Sequence, residues 1–221
     1  QGWHIQAVSE DENCSVVSEM PFARIVPDIE PVEGMTVRGD IIAVESEPDL
    51  DPRLGPGAIR PDEGDVLVSN CYGKRRISRV SASVEEGIRI SEDLLQVDVD
   101  LFPRDVTGAA LTAEKVEELL LGLGISESSI DREQLGKSIA QIRENDQPRR
   151  GVCLARGRPP VDGQDGHLAP EFGPEAGCAM PGDLLARIIP TVPAEEGFDV
   201  MGTVMLAEKA GEVVVVQLGE G

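Results

Sequence analysis

Aromatic side chains are scarce in this chain: one tryptophan, one tyrosine and four phenylalanines, 3% of 221 residues. Trp3 and Tyr72 are isolated, so neither a sugar-stacking platform nor the interleaved rings on which unpaired bases stack is supplied. Positive charge is short too. Twenty Lys and Arg stand against 41 Asp and Glu, a formal charge of -21, and such a field repels a phosphate backbone. Two local basic clusters are the exceptions, Lys74, Arg75 and Arg76 with Arg79, and Arg149, Arg150 and Arg156 with Arg158. With no aromatic among them they read as solvated faces or local ion pairs, and no nucleic-acid partner is expected. Histidine is limited to His4 and His167, which leaves almost no material for Ser-His-Asp or His-rich metal chemistry and makes each an ordinary surface or turn residue. The four cysteines, Cys14, Cys71, Cys153 and Cys178, form no CxxC pair and have no close His partner. A zinc site is therefore not expected, and a disulfide framework is unnecessary at this length, so a reducing cytoplasm fits best. No apolar run approaches transmembrane length and the start lacks the regions of a signal peptide, so no membrane insertion is expected. With Gln1 in place of Met, the expectation is that an expression remnant or a truncation begins the chain.

What is present is a division by composition. Between Glu10 and Asp65 fifteen acidic residues accompany four basic ones, with Pro and Gly between short apolar runs such as Ile41 to Val44 and Val66 to Val68. This predicts a β-rich first half, residues 1–85. Gly39-Asp40-Ile41-Ile42-Ala43 and Gly182-Asp183-Leu184-Leu185-Ala186 read as an imperfect internal repeat, a tight turn launching an apolar strand, which is how small barrel-sandwich modules stack two hairpins. The pattern resembles the biotinyl and lipoyl carrier module. At the hairpin position that would bear the modified lysine stands Glu45-Ser46-Glu47-Pro48, which leaves a carrier-like fold without its modifiable residue.

Residues 86–155 have another character. Leu95, Val97, Val99 and Leu101 alternate with Gln96, Asp98, Asp100 and Phe102, the period of a strand with one face on a core. A helix follows, capped by Thr112, stapled by Leu111 and Val116, striped by Val116, Leu119, Leu120 and Leu123, and ended by Gly124. A second helix starts at Asp131 with Gln134 completing a capping box, Ile130 packing on Leu135, and Ile139 and Ile142 extending its stripe. Gly151 to Ala155 returns as a strand. The expected fold class is α+β: a β-rich, barrel-sandwich-like lobe formed by residues 1–85 and 156–221, with this strand-helix-helix-strand unit inserted. The run Val213 to Val216 reads as a buried strand closing the first lobe.

Between Leu154 and Gly166 the sequence LARGRPPVDGQDG crowds turn-formers and charges together. Pro159 and Pro160 remove two backbone donors, while Gly157, Gly163 and Gly166 allow φ > 0, so the stretch reads as a series of specified turns. Residues 88 to about 205 resemble the N-terminal region of the flagellar assembly protein A family, a bacterial group. ISEDLL (Ile90–Leu95), LTAEKVEELL (Leu111–Leu120), the Ile130–Leu135 pattern, ARGRPPVDGQDG (Ala155–Gly166), and PGDLLARIIP with GFDVMG (Pro181–Gly202) carry the resemblance. It implies a non-enzymatic cytoplasmic scaffold or interaction module in bacterial flagellar assembly or polar organisation, and a long β-solenoid following the region. The binding residues it brings forward are Arg156, Gly157, Arg158, Pro159, Pro160, Asp162, Gly163, Asp165 and Gly166, with protein partners and no cofactor.

Two chemical readings compete. Asp162, Asp165 and His167 have the ligand types for Mn or Zn, but their spacing fits no established loop, and Asx turns next to Gly explain the acids. The family resemblance also implies a metal-dependent, polymerase-like nucleotide enzyme, which needs acids at the ends of adjacent strands to hold two metals; Asp98 and Asp100, on one solvent face of a strand, are the nearest candidates, and exposed strand polarity explains them equally.

Overall fold

The computed structural model describes residues 3–28, 33–38, 40–42, 52–61, 64–171, 184 and 186–211. The first part of the chain forms β1 (Trp3–Ala7), β2 (Cys14–Val16), β3 (Pro21–Pro27), β4 (Gly34–Met35), β5 (Ile41–Ile42), β6 (Arg53–Leu54), β7 (Ala58–Ile59), β8 (Val66–Ser69), β9 (Gly73–Ile77) and β10 (Ser81–Glu86). Alternation drives the assembly. In β10 Ala82 and Val84 turn inward, and in β8 Leu67 and Ser69 do, so each strand gives one face to a core. One sheet has the order β1-β3-β8-β7, and Phe22, Ala23, Ile25 and Leu67 from it share a buried cluster with Val16 of β2 and with Ala82 and Val84 of β10. Burying Phe22 completely contributes about 2–3 kcal/mol.

The middle unit comprises β11 (Ile88–Ile90), β12 (Gln96–Leu101), β13 (Arg104–Asp105), α1 (Ala113–Gly122), α2 (Arg132–Asn145) and β14 (Arg149–Arg156), with an antiparallel sheet of order β11-β12-β14. Val97, Val99 and Leu101 of β12 are fully buried against Val116 and Leu120 of α1 and Leu135, Ile139 and Ile142 of α2. Both helix starts follow from their caps. The Thr112 hydroxyl accepts the Lys115 N–H and the Asp131 carboxylate accepts the Gln134 N–H, while Gly124, at φ +85, closes the end of α1. The reciprocal half of the expected capping box is replaced: the Asp131 N–H donates to the Leu154 carbonyl, and Ile130 bridges Ala155, so α2 is tied at its start to β14. The unit also has two more strands than its hydrophobic pattern predicts, β11 and β13. β11 pairs with β12 through the ISEDLL turn, where Ser91 and Asp93 side chains receive backbone N–H groups and Leu94 adopts φ 57.

The two parts are stitched together by exchanged residues. β13 pairs in parallel with β2, joining a sheet of order β13-β2-β9-β10-β6, and Val106 enters the first core. In return Tyr72 enters the helical core, meets Phe102 edge to face at 6.3 Å, and donates its hydroxyl to the Asp100 carbonyl at 2.9 Å. Burial pushes the Tyr72 phenol far above its ordinary pKa, so it stays a donor.

Beyond β14 come β15 (His167–Pro170), β16 (Ala186–Ile189), β17 (Gly197–Phe198) and β18 (Val204–Met205). Among the described residues β15 pairs with β16 and β17 with β18, and the strands close no barrel; the whole is β-rich with two helices, an α+β fold. The strands after each Gly-Asp, β5 and β16, are formed; Gly39, Ala43, Gly182, Asp183, the Glu45 to Pro48 stretch, Cys178 and the Val213 to Val216 run lie outside the described residues.

Candidate functional site

The stretch from Arg158 to Gly166 is extended rather than a series of turns. Arg158 bridges Phe198, Val161 bridges Glu195 and Gln164 bridges Val192, each antiparallel with both N–H groups donated across at 2.7 to 2.9 Å. His167 then pairs with Ile189 in the same register. An ordinary antiparallel ladder repeats its bonded pairs every two residues; here the interval is three, the turn length of a polyproline-II chain. Burial follows that period. From residue 157 to residue 170 every third position, Gly157, Pro160, Gly163, Gly166 and Ala169, is half-buried and the two between are exposed. On the partner chain Thr191, Ala194 and Gly197 point inward, and on a third segment Ala207 and Ala210 do.

The small residues meet at a common axis. A Cβ on Gly163 would lie 2.6 Å from the Ala210 nitrogen and 3.1 Å from the Ala194 nitrogen. On Gly157 it would lie 2.6 Å from the Phe198 carbonyl oxygen, and on Gly166 2.9 Å from the Thr191 hydroxyl. None of the three has positive φ, which corrects the expectation that they serve left-handed turns: they are glycines because neighbouring backbone leaves no room for a side chain.

Asp162 and Asp165 attach the third segment. Asp162 accepts the Glu208 N–H at 2.8 Å, Asp165 accepts the Gly211 N–H, and the Gly163 N–H donates to the Glu208 carbonyl at 2.8 Å. Their partners lie 46 residues along the chain, so the local Asx turns predicted for them are not what forms. His167 Nδ1 faces the Asp165 carbonyl at 3.4 Å instead of converging with the two carboxylates, and among the described residues no cluster of three or more His, Cys, Asp or Glu is placed to hold a metal. The base of the bundle is set by Asp199. Its carboxylate accepts the Met201 and Thr203 N–H groups, with Gly202 at φ +85, and this turn drives Val200 into the helical core.

Neither arginine of the motif is a free cation. Arg156 Nε donates to the Cys153 sulfur at 3.2 Å, a bond that raises the guanidinium pKa further, and Arg158 pairs with Glu195 across the ladder. Pro159 and Pro160 pack against Gly197, where a Cβ would stand 2.4 Å from the Pro160 nitrogen. Eight of the nine expected residues therefore lie on one segment of the bundle, while Arg156 ends β14, paired with Gln96. The Thr191–Gly197 and Ala207–Gly211 chains that complete it went unread, although their small residues share the three-residue spacing.

The paired aspartates of β12 do not form a two-metal arrangement. Asp98 is half-buried and accepts from the Gln96 amide, but Asp100 is only 7% exposed, which corrects the expectation of a shared solvent face. Its two oxygens receive Arg89 Nη2 at 2.7 Å and Nη1 at 3.2 Å, plus the Gly151 N–H at 2.8 Å. Burial raises the Asp100 pKa, but the Arg89 and Gly151 bonds and the charges of Arg89 and Arg150 outweigh it and hold the carboxyl below its usual range. Burial also pushes up the thiols of Cys14 and Cys71, away from the reactive thiolate.

Residues 87–179 match the family described as the Flagellar Assembly Protein A N-terminal region, a span from β11 through α1, α2 and β14 to the first chain of the bundle. The resemblance read from ISEDLL, LTAEKVEELL and ARGRPPVDGQDG thus stands, while the PGDLLARIIP and GFDVMG segments lie beyond the matched residues. Comparison with curated proteins and with solved structures returns no match. No helix among the described residues is long and apolar enough to cross a membrane.

Proposed function

We propose that this chain is a non-enzymatic scaffold or protein-interaction module serving bacterial flagellar assembly or polar organisation from the cytoplasm. The match over residues 87–179 supports the flagellar connection. The observation that carries the interaction reading is the bundle's outer surface. Two of every three positions face solvent there, and Val161, Leu168, Ile188, Val192, Phe198 and Leu206 are 41 to 80% exposed on backbone that its glycines and prolines hold in one shape. Large exposed apolar residues on a rigid frame suit protein recognition, since little ordering entropy is lost on docking.

Pull-down from a flagellated bacterial lysate tests this. A Val161→Ser, Val192→Ser variant is expected to lose the partners that wild type captures. An Arg156→Ala, Arg158→Ala variant is expected to weaken capture while thermal stability stays close to that of wild type, because exposed pairs contribute little. Equal recovery by all three proteins at equal stability would refute the surface.

The same reading takes residues 1–85 and 156–221 as halves of one barrel-sandwich-like lobe. Each half exposes an apolar hairpin: Met35, Val37 and Ile41 around β4 and β5, Leu168 and Ile188 around β15 and β16. Deleting residues 206–221 is then expected to speed amide exchange across residues 34–70 as well as in the bundle. Unchanged protection of 34–70 would leave the halves as separate units.

A further inference from the structure

A cleft of ≈ 550 Å³ lies on the seam between the first part and the helical unit, where the turn from β2 to β3 faces α1. That volume is in the range of small-ligand sites, which are apolar with a few placed polar groups. The walls are of that kind. Val17 and Leu119 pack on the helical core and Met20 on the first core, and with Pro21 and Leu111 they give the cleft its apolar lining. One carboxylate is set into it. Asp105, 8% exposed, turns Oδ1 back into its own loop, where it accepts the Thr107 N–H at 2.9 Å, the Thr107 hydroxyl at 2.5 Å and the Ala109 N–H at 3.1 Å. Oδ2 is turned to the opposite wall and has no hydrogen bond among the described residues; Lys115 Nζ of α1 stands 3.7 Å from it, beyond hydrogen-bond reach, on a side chain that is 49% exposed. Among the described residues the one enclosed side-chain nitrogen or oxygen without a hydrogen bond is Nη1 of Arg75, which the loop between β1 and β2 covers against the expectation of a solvated charge. Oδ2 of Asp105 therefore keeps accessible surface, and Asp105 is a wall of the cleft.

We propose that this cleft binds a small aliphatic amine, its hydrocarbon body along Val17, Met20 and Leu119 and its ammonium on Oδ2 of Asp105. The charge of the walls selects the sign of the head. Their charged residues are Glu19, Asp105 and Glu118 against Lys115 alone, three acids to one base, and the field of the whole chain acts the same way. A free ammonium can close on Oδ2 to the 2.7–2.9 Å of a charge-assisted bond, which Lys115 does not reach from α1. Lys115 then has Glu118, three residues on along the same helix, as its partner. A concave site of this volume between elements of one chain takes a whole small molecule, so the inference is independent of the bundle surface proposed above.

The test is a titration of the full chain, followed by NMR at the methyl groups of Val17, Met20 and Leu119 and at the amides of residues 105–109. The probes are n-hexylammonium chloride, 1-hexanol, sodium hexanoate and a blocked peptide carrying one lysine, against sodium chloride at matched ionic strength. Hexylammonium is expected to give saturable shifts with a dissociation constant on the order of 1 mM, at least tenfold tighter than hexanol, hexanoate or the peptide. Asp105→Asn leaves Oδ1 to its three loop donors, and is expected to weaken hexylammonium at least tenfold while hexanol is unchanged. Lys115→Gln is expected to act in the opposite sense and tighten hexylammonium severalfold. Should Asp105→Asn fail to fold, the Lys115 variant decides. Hexanol or hexanoate binding as tightly as hexylammonium would overturn the proposal by showing an apolar cleft with no choice of head group. A tighter peptide would overturn it in favour of a partner's lysine, and so would an affinity for hexylammonium unmoved by either substitution, which would leave Asp105 to its loop alone.

Discussion

Gly197→Ala is expected to loosen the bundle by about 3 kcal/mol, at the upper end for an overpacked site. The added methyl would stand 2.3 Å from the Arg158 carbonyl oxygen, 2.4 Å from the Pro160 nitrogen and 2.7 Å from the Pro159 carbonyl carbon. All three are backbone atoms, and Pro159 and Pro160 cannot rotate φ to make room. The chains must part at the Arg158–Phe198 bridge, so amide exchange at Arg158, Val161 and Gln164 should accelerate together. Gly136→Ala in α2 is the control. Nothing lies within 4 Å of its new methyl, so it should stabilise by about 0.5–1 kcal/mol. Retained protection at Arg158, Val161 and Gln164 in Gly197→Ala would show that the chains do not share a close-packed axis.

Asp100→Ala is expected to cost about 2–3 kcal/mol at pH 7, less than the 3–5 of a fully buried pair because the Arg89 side chain is 49% exposed. Three charge-assisted bonds disappear at once, to Arg89 twice and to Gly151. The loss should depend on pH. The folded Asp100 pKa is depressed, so its stabilisation is full above the unfolded carboxylate value of about 4 and vanishes as pH falls through the lower folded value. Urea melts of both proteins at pH 7 and at successively lower pH should therefore converge. A gap equally wide throughout would mean that lost packing, not the ionised pair, sets the cost.

The helical unit was legible because its signals are local. Thr112 and Asp131 cap within three residues, Gly124 follows directly on the C-cap of α1, and the alternation from Gln96 to Leu101 needs no partner to be seen. β11 and β13 were missed because three residues and two residues are too few to show a period. The bundle shows a different limit. Gly157, Gly163 and Gly166 were singled out correctly but for conformational freedom, when their function is to admit close neighbours. Those neighbours, Thr191, Ala194, Phe198 and Ala210, stand 25 to 47 residues away, and only register decides which of them arrives. Arg75 was misread for the same reason: a charged run shows nothing of which member a distant loop will cover.

A chain that turns once every three residues restricts how its own length can change. Inserting or deleting three residues between Arg158 and His167 moves the register by a whole turn and returns a small residue to the axis. A change of one or two would bring Val161, Asp162 or Gln164 to the place of Gly163, against the Ala210 nitrogen. Loops elsewhere in the molecule can grow by any number of residues; this segment has length in units of three, and reading-frame-preserving changes of a single codon there carry the consequences of a core substitution.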